Sequence, residues 1–84
     1  MGLDIYLALN KNEIIATIDS LQSIEIALEE FSKKTGITID PYGTTHLYAD
    51  HIQLIFSLIP KPNQWTIVFQ KALDANTGLI IEGD

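Results

Sequence analysis

Two histidines are the residues of this chain best suited to chemistry, and their spacing decides what that chemistry could be. His46 and Asp50 stand four apart. On a helix they would share a face, where a carboxylate can orient an imidazole for general acid–base work. His51 follows Asp50 directly, and adjacent residues on a helix do not face each other. A lone His–Asp pair is more often a solvated contact than half of a catalytic dyad, so no catalytic residue is expected. His46 and His51 are five apart, on different faces, and neither an HExxH spacing nor any Cys supports a metal site. The serines lie in no GxSxG context, and Gly43-Thr44-Thr45 lacks the GxxxxGK[ST] pattern of a phosphate loop, so it reads as a turn. Trp65 and Phe69 could stack on bases, but with no Arg or basic stripe they read as core. No cofactor is expected.

The carboxylates carry more functional content. Glu25, Glu29, Glu30, Asp40 and Asp50 gather along one third of the chain, and Tyr42, His46 and Tyr48 fall among them. The plain reading is a solubilising face. The sharper one is a docking surface over residues 25–51 for a basic protein. There charge would steer association while Tyr42 and Tyr48 act as anchors.

Bulk composition narrows the partners. Eleven acids against five Lys and no Arg give a net charge of −6. Phosphate contacts dominate nucleic-acid affinity, so a nucleic-acid partner is not expected. A hydrophobic fraction of 46% excludes disorder. Uninterrupted apolar runs fall far short of the roughly 20 residues of a membrane span. No basic region precedes an apolar run at Met1-Gly2-Leu3-Asp4, so no signal peptide and a cytoplasmic location are expected. Without Cys, burial of the abundant Ile and Leu must hold the fold.

The elements that would position these residues follow from spacing. Leu3 to Leu9 suits a strand. Asn10 and Glu13 resemble a capping box ahead of Ile14, Ile15, Ile18 and Leu21, which follow helical steps. A hairpin with a strand over residues 13–19 competes, but Ile15 falls on the wrong face of a strand, which favours a short helix. From Ser20 to Lys34 the stripe Leu21, Ile24, Ala27, Leu28, Phe31 predicts a helix. Ser20 or Ser23 can cap it, and Gly36 suits the position past its end. Ile37-Thr38-Ile39 reads as extended, leading into the turn Asp40-Pro41-Tyr42-Gly43. A further helix runs from about Tyr48 to Ile59 and stops at Pro60; Leu54 and Leu58 make it apolar nearly all round, which requires a central place or a covering partner. After the Pro60-Lys61-Pro62 linker, Asn63 caps a helix through Trp65, Val68, Phe69, Ala72 and Leu73. Strand propensity competes there. Leu79-Ile80-Ile81-Glu82 reads as a strand that can pair with residues 3–9. The expectation is one α+β domain over residues 1–84, mainly helical, with a short sheet from the terminal segments.

The stretch Gly36-Ile37-Thr38-Ile39-Asp40-Pro41-Tyr42-Gly43-Thr44-Thr45-His46-Leu47 resembles a segment of small bacterial proteins in which a helix is followed by Gly, an IDPYG(D/T)T-x-L turn and another helix. The ending Gly78-Leu79-Ile80-Ile81-Glu82-Gly83-Asp84 is similar to the close of such chains. Some small acidic proteins of this look are immunity partners in contact-dependent or polymorphic toxin systems. The resemblance implies a non-enzymatic protein that blocks a basic cognate toxin, a nuclease above all, by covering its active groove. Two other classes remain open: a module that homodimerises through the apolar helix 48–59, and a small enzyme or ligand-binding protein using His46 and Asp50.

Overall fold

The computed structural model describes residues 2–60 and 63–83; Lys61 and Pro62 of the expected linker, and the terminal Asp84, lie outside the described residues. The fold is α+β. Strands β1 (Leu3–Leu7) and β2 (Asn10–Ile18) precede a 3-10 turn (Gln22–Ile24) and helix α1 (Glu25–Thr35). Then come β3 (Thr44–Leu47), α2 (Ala49–Leu58), α3 (Gln64–Asp74) and β4 (Leu79–Glu82). The four strands form one antiparallel sheet in the order β2-β1-β4-β3. The expected pairing of the terminal segments is present, with Asp4 opposite Glu82 and Leu7 opposite Leu79.

Residues 10–18 overturn the expected short helix. They form the second arm of a hairpin, and the reason lies in a bulge. Ile5 pairs with Ala16 and Tyr6 with Ile14, so Ile15 has no opposite number. An extra residue in one strand lets two consecutive side chains lean to one side. Ile15 and Ala16 both pack against the core, whereas Ile14 is half exposed on the other face. The objection that Ile15 would face the wrong way holds only for a regular strand. The Asn10–Glu13 pattern serves the hairpin: Asn10 Oδ1 accepts the Asn12 N–H at 3.2 Å, and its amide donates to Glu13.

The helices start and stop where their caps dictate. Ser20 Oγ accepts the Gln22 N–H in the 3-10 turn that leads into α1, so the helix expected from Ser20 begins only at Glu25; Ile24 of the turn and Ala27 and Phe31 of α1 are buried. Gly36 closes α1 in the left-handed region at φ 76°, donating to the Ser32 carbonyl at 2.7 Å. A side chain there would be strained. At the start of α2 the Tyr48 N–H donates to Nδ1 of His51 at 3.2 Å. Asn63 Oδ1 accepts the Trp65 N–H at 2.9 Å and opens α3, so the helical reading of residues 64–72 is correct.

All three helices cover one face of the sheet. Leu3, Ile5, Leu47, Leu79 and Ile81 project into the core and meet Phe31, Ile52, Ile55, Trp65 and Phe69. Trp65 is fully buried, and its Nε1 donates to the Ser20 carbonyl at 3.3 Å, which ties α3 to the loop before α1. Helix α2 packs against both α1 and α3. Its Leu54, Phe56 and Leu58 are half-buried against the core, so its all-round apolar surface is largely used within the chain.

One pair of substitutions tests the bulge. Ile and Thr are both β-branched, so strand preference is kept. Ile15→Thr is expected to cost about 1–2 kcal/mol in urea unfolding and Ile14→Thr less than about 0.5 kcal/mol. Equal losses at the two positions contradict the bulged register.

Candidate functional site

The expected docking residues divide among three places. Glu25 and Glu29 stand on α1 along the rim of a groove of about 500 Å³. Its floor is Leu21, Leu28, Phe31, Ile37 and Ile39, and the far wall is the irregular segment 37–41 that returns from α1. Gln22 and Ser32 complete the rim, and no Lys or His among the described residues lines the groove. A second hollow of about 220 Å³ shares Leu21 and Pro41 with it and leads to Asp19 and Tyr42. Glu25 and Glu29 thus border one hollow and Tyr42 the other, with Leu21 and Pro41 common to both. Glu30 is exposed on α1 and does not line it.

The turn residues build this site more than they face it. Asp40 Oδ1 accepts the Tyr42 N–H at 2.9 Å, and the Asp40 N–H donates to Thr45 Oγ1 at 3.1 Å. Tyr42 is left 71% exposed. The C-terminal strand clamps the turn from below: the Gly83 N–H donates to the Gly43 carbonyl at 2.8 Å, and a Cβ on Gly83 would run into the Pro41 carbonyl.

His46, Tyr48 and Asp50 lie elsewhere, and the helical arrangement proposed for two of them is wrong. His46 belongs to β3, opposite Ile80, while Asp50 is in the first turn of α2. They therefore share no helix face. The alternating pattern Thr44 out, Thr45 in, His46 out, Leu47 in makes the strand. Asp50 suits a helix N-terminus, where backbone N–H groups favour negative charge. Tyr48 is exposed, its ring centroid 5.7 Å from that of His51. His51 in turn packs edge-on to Phe31 at 5.8 Å. With its Nδ1 accepting from Tyr48, His51 is a capping and packing residue. Among the described residues no cluster of three or more His, Cys, Asp or Glu could hold a metal ion. No described helix is long and apolar enough to cross a membrane.

The face of the sheet away from the helices escaped the sequence reading. Ile14, Tyr6, Ile80 and His46 form one row across all four strands, and Thr17, Asp4, Glu82 and Thr44 form the next. Ile80 is buried there, flanked by Tyr6 and His46 rather than by the core cluster. Leu21, Leu28, Ile37 and Ile39 were legible as apolar but not as groove lining; the half-burial of the first three and the burial of Ile39 depend on where residues 37–41 return.

Comparison with protein-family models, with curated proteins and with solved structures finds no match to this chain.

The open sheet face has a pH signature. Desolvation raises the Tyr6 phenol above its ordinary value of about 10, and the carboxylates of Glu82 and Asp4 push it the same way. The folded chain therefore holds this proton more tightly than the unfolded chain. That stability is fully present below pH 10 and is lost as pH rises through the raised value. Alkaline unfolding monitored by circular dichroism should show a loss of stability above pH 10 that Tyr6→Phe reduces; an identical alkaline slope in the variant contradicts this assignment.

Proposed function

We propose that this chain is a non-enzymatic inhibitor of the immunity type, which binds a basic protein partner through the α1 groove. The observation that carries this reading is the lining itself: an apolar floor with Glu25 and Glu29 as the only charged residues among the described ones that line the groove. Apolar side chains in such a groove supply affinity when a partner's anchor displaces water from them. Carboxylates at the rim speed encounter with a cationic surface and reject an anionic one. A net charge of −6 acts in the same direction at longer range and opposes self-association.

The partner class follows from charge. An enzyme that cleaves RNA or DNA must present cations to phosphates, and its substrate groove is the surface that an acidic face complements best. Inhibition is then occupancy: the partner's cationic groove is covered, and no residue of this chain needs to perform chemistry. The partner is a basic cognate toxin of nuclease type, in agreement with the resemblance of residues 36–47 to immunity proteins. Asp40 and Tyr42 enter this reading as builders and edge of the groove. Glu30, Tyr48 and Asp50 are peripheral charge and contact, and His46 lies outside the docking face.

Charge reversal tests it. Glu25→Lys with Glu29→Lys changes two exposed side chains, so the fold should survive, as circular dichroism would verify. Affinity for the basic partner is expected to fall at least about tenfold, chiefly through the association rate. Glu13→Lys with Asp74→Lys alters net charge equally at exposed sites away from the groove and should change affinity far less. Equal losses from the two pairs would leave only net charge at work and reject the groove.

A further inference from the structure

We infer that the open face of the sheet is a second docking surface, which takes a basic protein segment carrying a Lys or Arg beside an aromatic side chain. This face lies away from the helices and shares no residue with the α1 groove, so the inference stands apart from the reading above. Its apolar part is the row Ile14, Tyr6, Ile80. Ile14 is 50% exposed and Tyr6 half-buried, while Ile80 is closed off between Tyr6 and His46. Such a row offers a partner apolar contact on the side of the molecule that the core does not use.

The charge of the occupant follows from the next row. The Ala8 N–H donates to the Gly78 carbonyl at 3.0 Å, and by alternation Tyr6 with Ile80 and Asp4 with Glu82 are hydrogen-bonded pairs of the same kind. The Cα atoms of such a pair are about 5.5 Å apart, and both side chains rise from one face. Asp4 and Glu82 are therefore two carboxylates directly opposite each other on the two central strands, an arrangement that destabilises a sheet. Thr17 and Thr44 complete the row, so it holds no cation. Thr17 Oγ1 donates to Asp4 Oδ1 at 3.1 Å, and Glu82 is exposed. His46 is the one basic side chain in the two rows, and it stands opposite Ile80 rather than a carboxylate. The acidic pair also borders the apolar row: after desolvation, the charges of Glu82 and Asp4 raise the Tyr6 phenol. A Lys or Arg laid over the pair relieves the repulsion while an adjoining ring covers Tyr6 and Ile14. A bare cation gains only the first of these. A second copy of this chain is the wrong occupant, since it brings the same two carboxylates and a further net charge of −6.

A site that keeps a repulsive pair for its partner is stabilised when the pair is relieved by mutation, and loses binding by the same change. The test combines urea unfolding of the full chain with NMR titration by three synthetic peptides, in which Lys flanks Trp, Lys flanks Ser, or Glu flanks Trp. The Lys–Trp peptide is expected to shift the Asp4, Tyr6, Ile80 and Glu82 amide resonances and to bind at least about fivefold more tightly than the Lys–Ser peptide. The Glu–Trp peptide should leave them unmoved. Glu82→Lys turns the like pair into an opposite one; it should raise the urea midpoint of the free chain and weaken the Lys–Trp peptide at least about tenfold. Glu82→Gln should do both to a smaller extent. Glu25→Gln with Glu29→Gln should change binding at this face less than about twofold, as expected for separate sites. The inference is overturned if both Glu82 variants lower the midpoint, or if the Lys–Ser peptide binds as tightly as the Lys–Trp peptide. It is overturned as well if the shifts are confined to groove residues such as Leu28 and Glu29, a result that would leave the α1 groove standing.

Discussion

The placement of β4 between β1 and β3 is the constraint on which the rest of this structure depends. Only a strand that pairs on both sides can join the N-terminal hairpin to the β3 edge, and residues 79–82 do this with three of four side chains buried. Leu79 and Ile81 contribute to the core beneath the helices, so the same few residues close the sheet and seat the helical layer. Cysteine is absent, and nothing covalent can replace that pairing. Its influence reaches the groove. Gly83, just past β4, holds the turn at residues 40–43 through the Gly43 carbonyl and lies so close to Pro41 that no side chain fits. The turn in turn fixes where segment 37–41 runs relative to α1. The groove is thus an outcome of how the chain's last strand closes the sheet.

Function, on this account, comes from pairing two ordinary features. An acidic helix face alone is a solubility device, and a shallow apolar hollow alone is a packing imperfection. Together they favour one class of occupant, because a segment lacking cations leaves Glu25 and Glu29 unmatched, and one lacking apolar groups gains nothing from Leu28 or Phe31. A second hollow that shares Leu21 and Pro41 with the groove is lined by Tyr42, an exposed aromatic side chain.

What the sequence revealed depended on whether a signal was local. The α1 stripe, the Gly36 stop, the Asn63 cap and the β1–β4 pairing all rest on residues within a turn of each other or on plain alternation, and all are present. The β2 strand was hidden because its bulge breaks period-two alternation, and helical spacing fitted the broken pattern better. β3 was hidden because four residues after a turn carry too little periodicity, and His46 was consequently placed on a helix. The site was half legible. Glu25, Glu29 and Tyr42 could be chosen by charge and exposure, whereas the groove floor could not, since Leu21 and Leu28 continue the buried stripe of α1 without interruption. Only the return path of residues 37–41 separates lining from core, and that path is set by contacts as far as forty residues away, as the Gly83–Gly43 hydrogen bond illustrates.

The most direct measurement is the association rate of this chain with the proposed basic partner across ionic strengths from about 0.01 to 1 M, a range over which the screening length falls from about 30 to 3 Å. Docking through an acid-rimmed groove predicts a rate that drops steeply with salt, and a shallower dependence when Glu25 and Glu29 are both changed to Gln. A rate that is flat across this range, or a slope untouched by the two substitutions, would contradict the account.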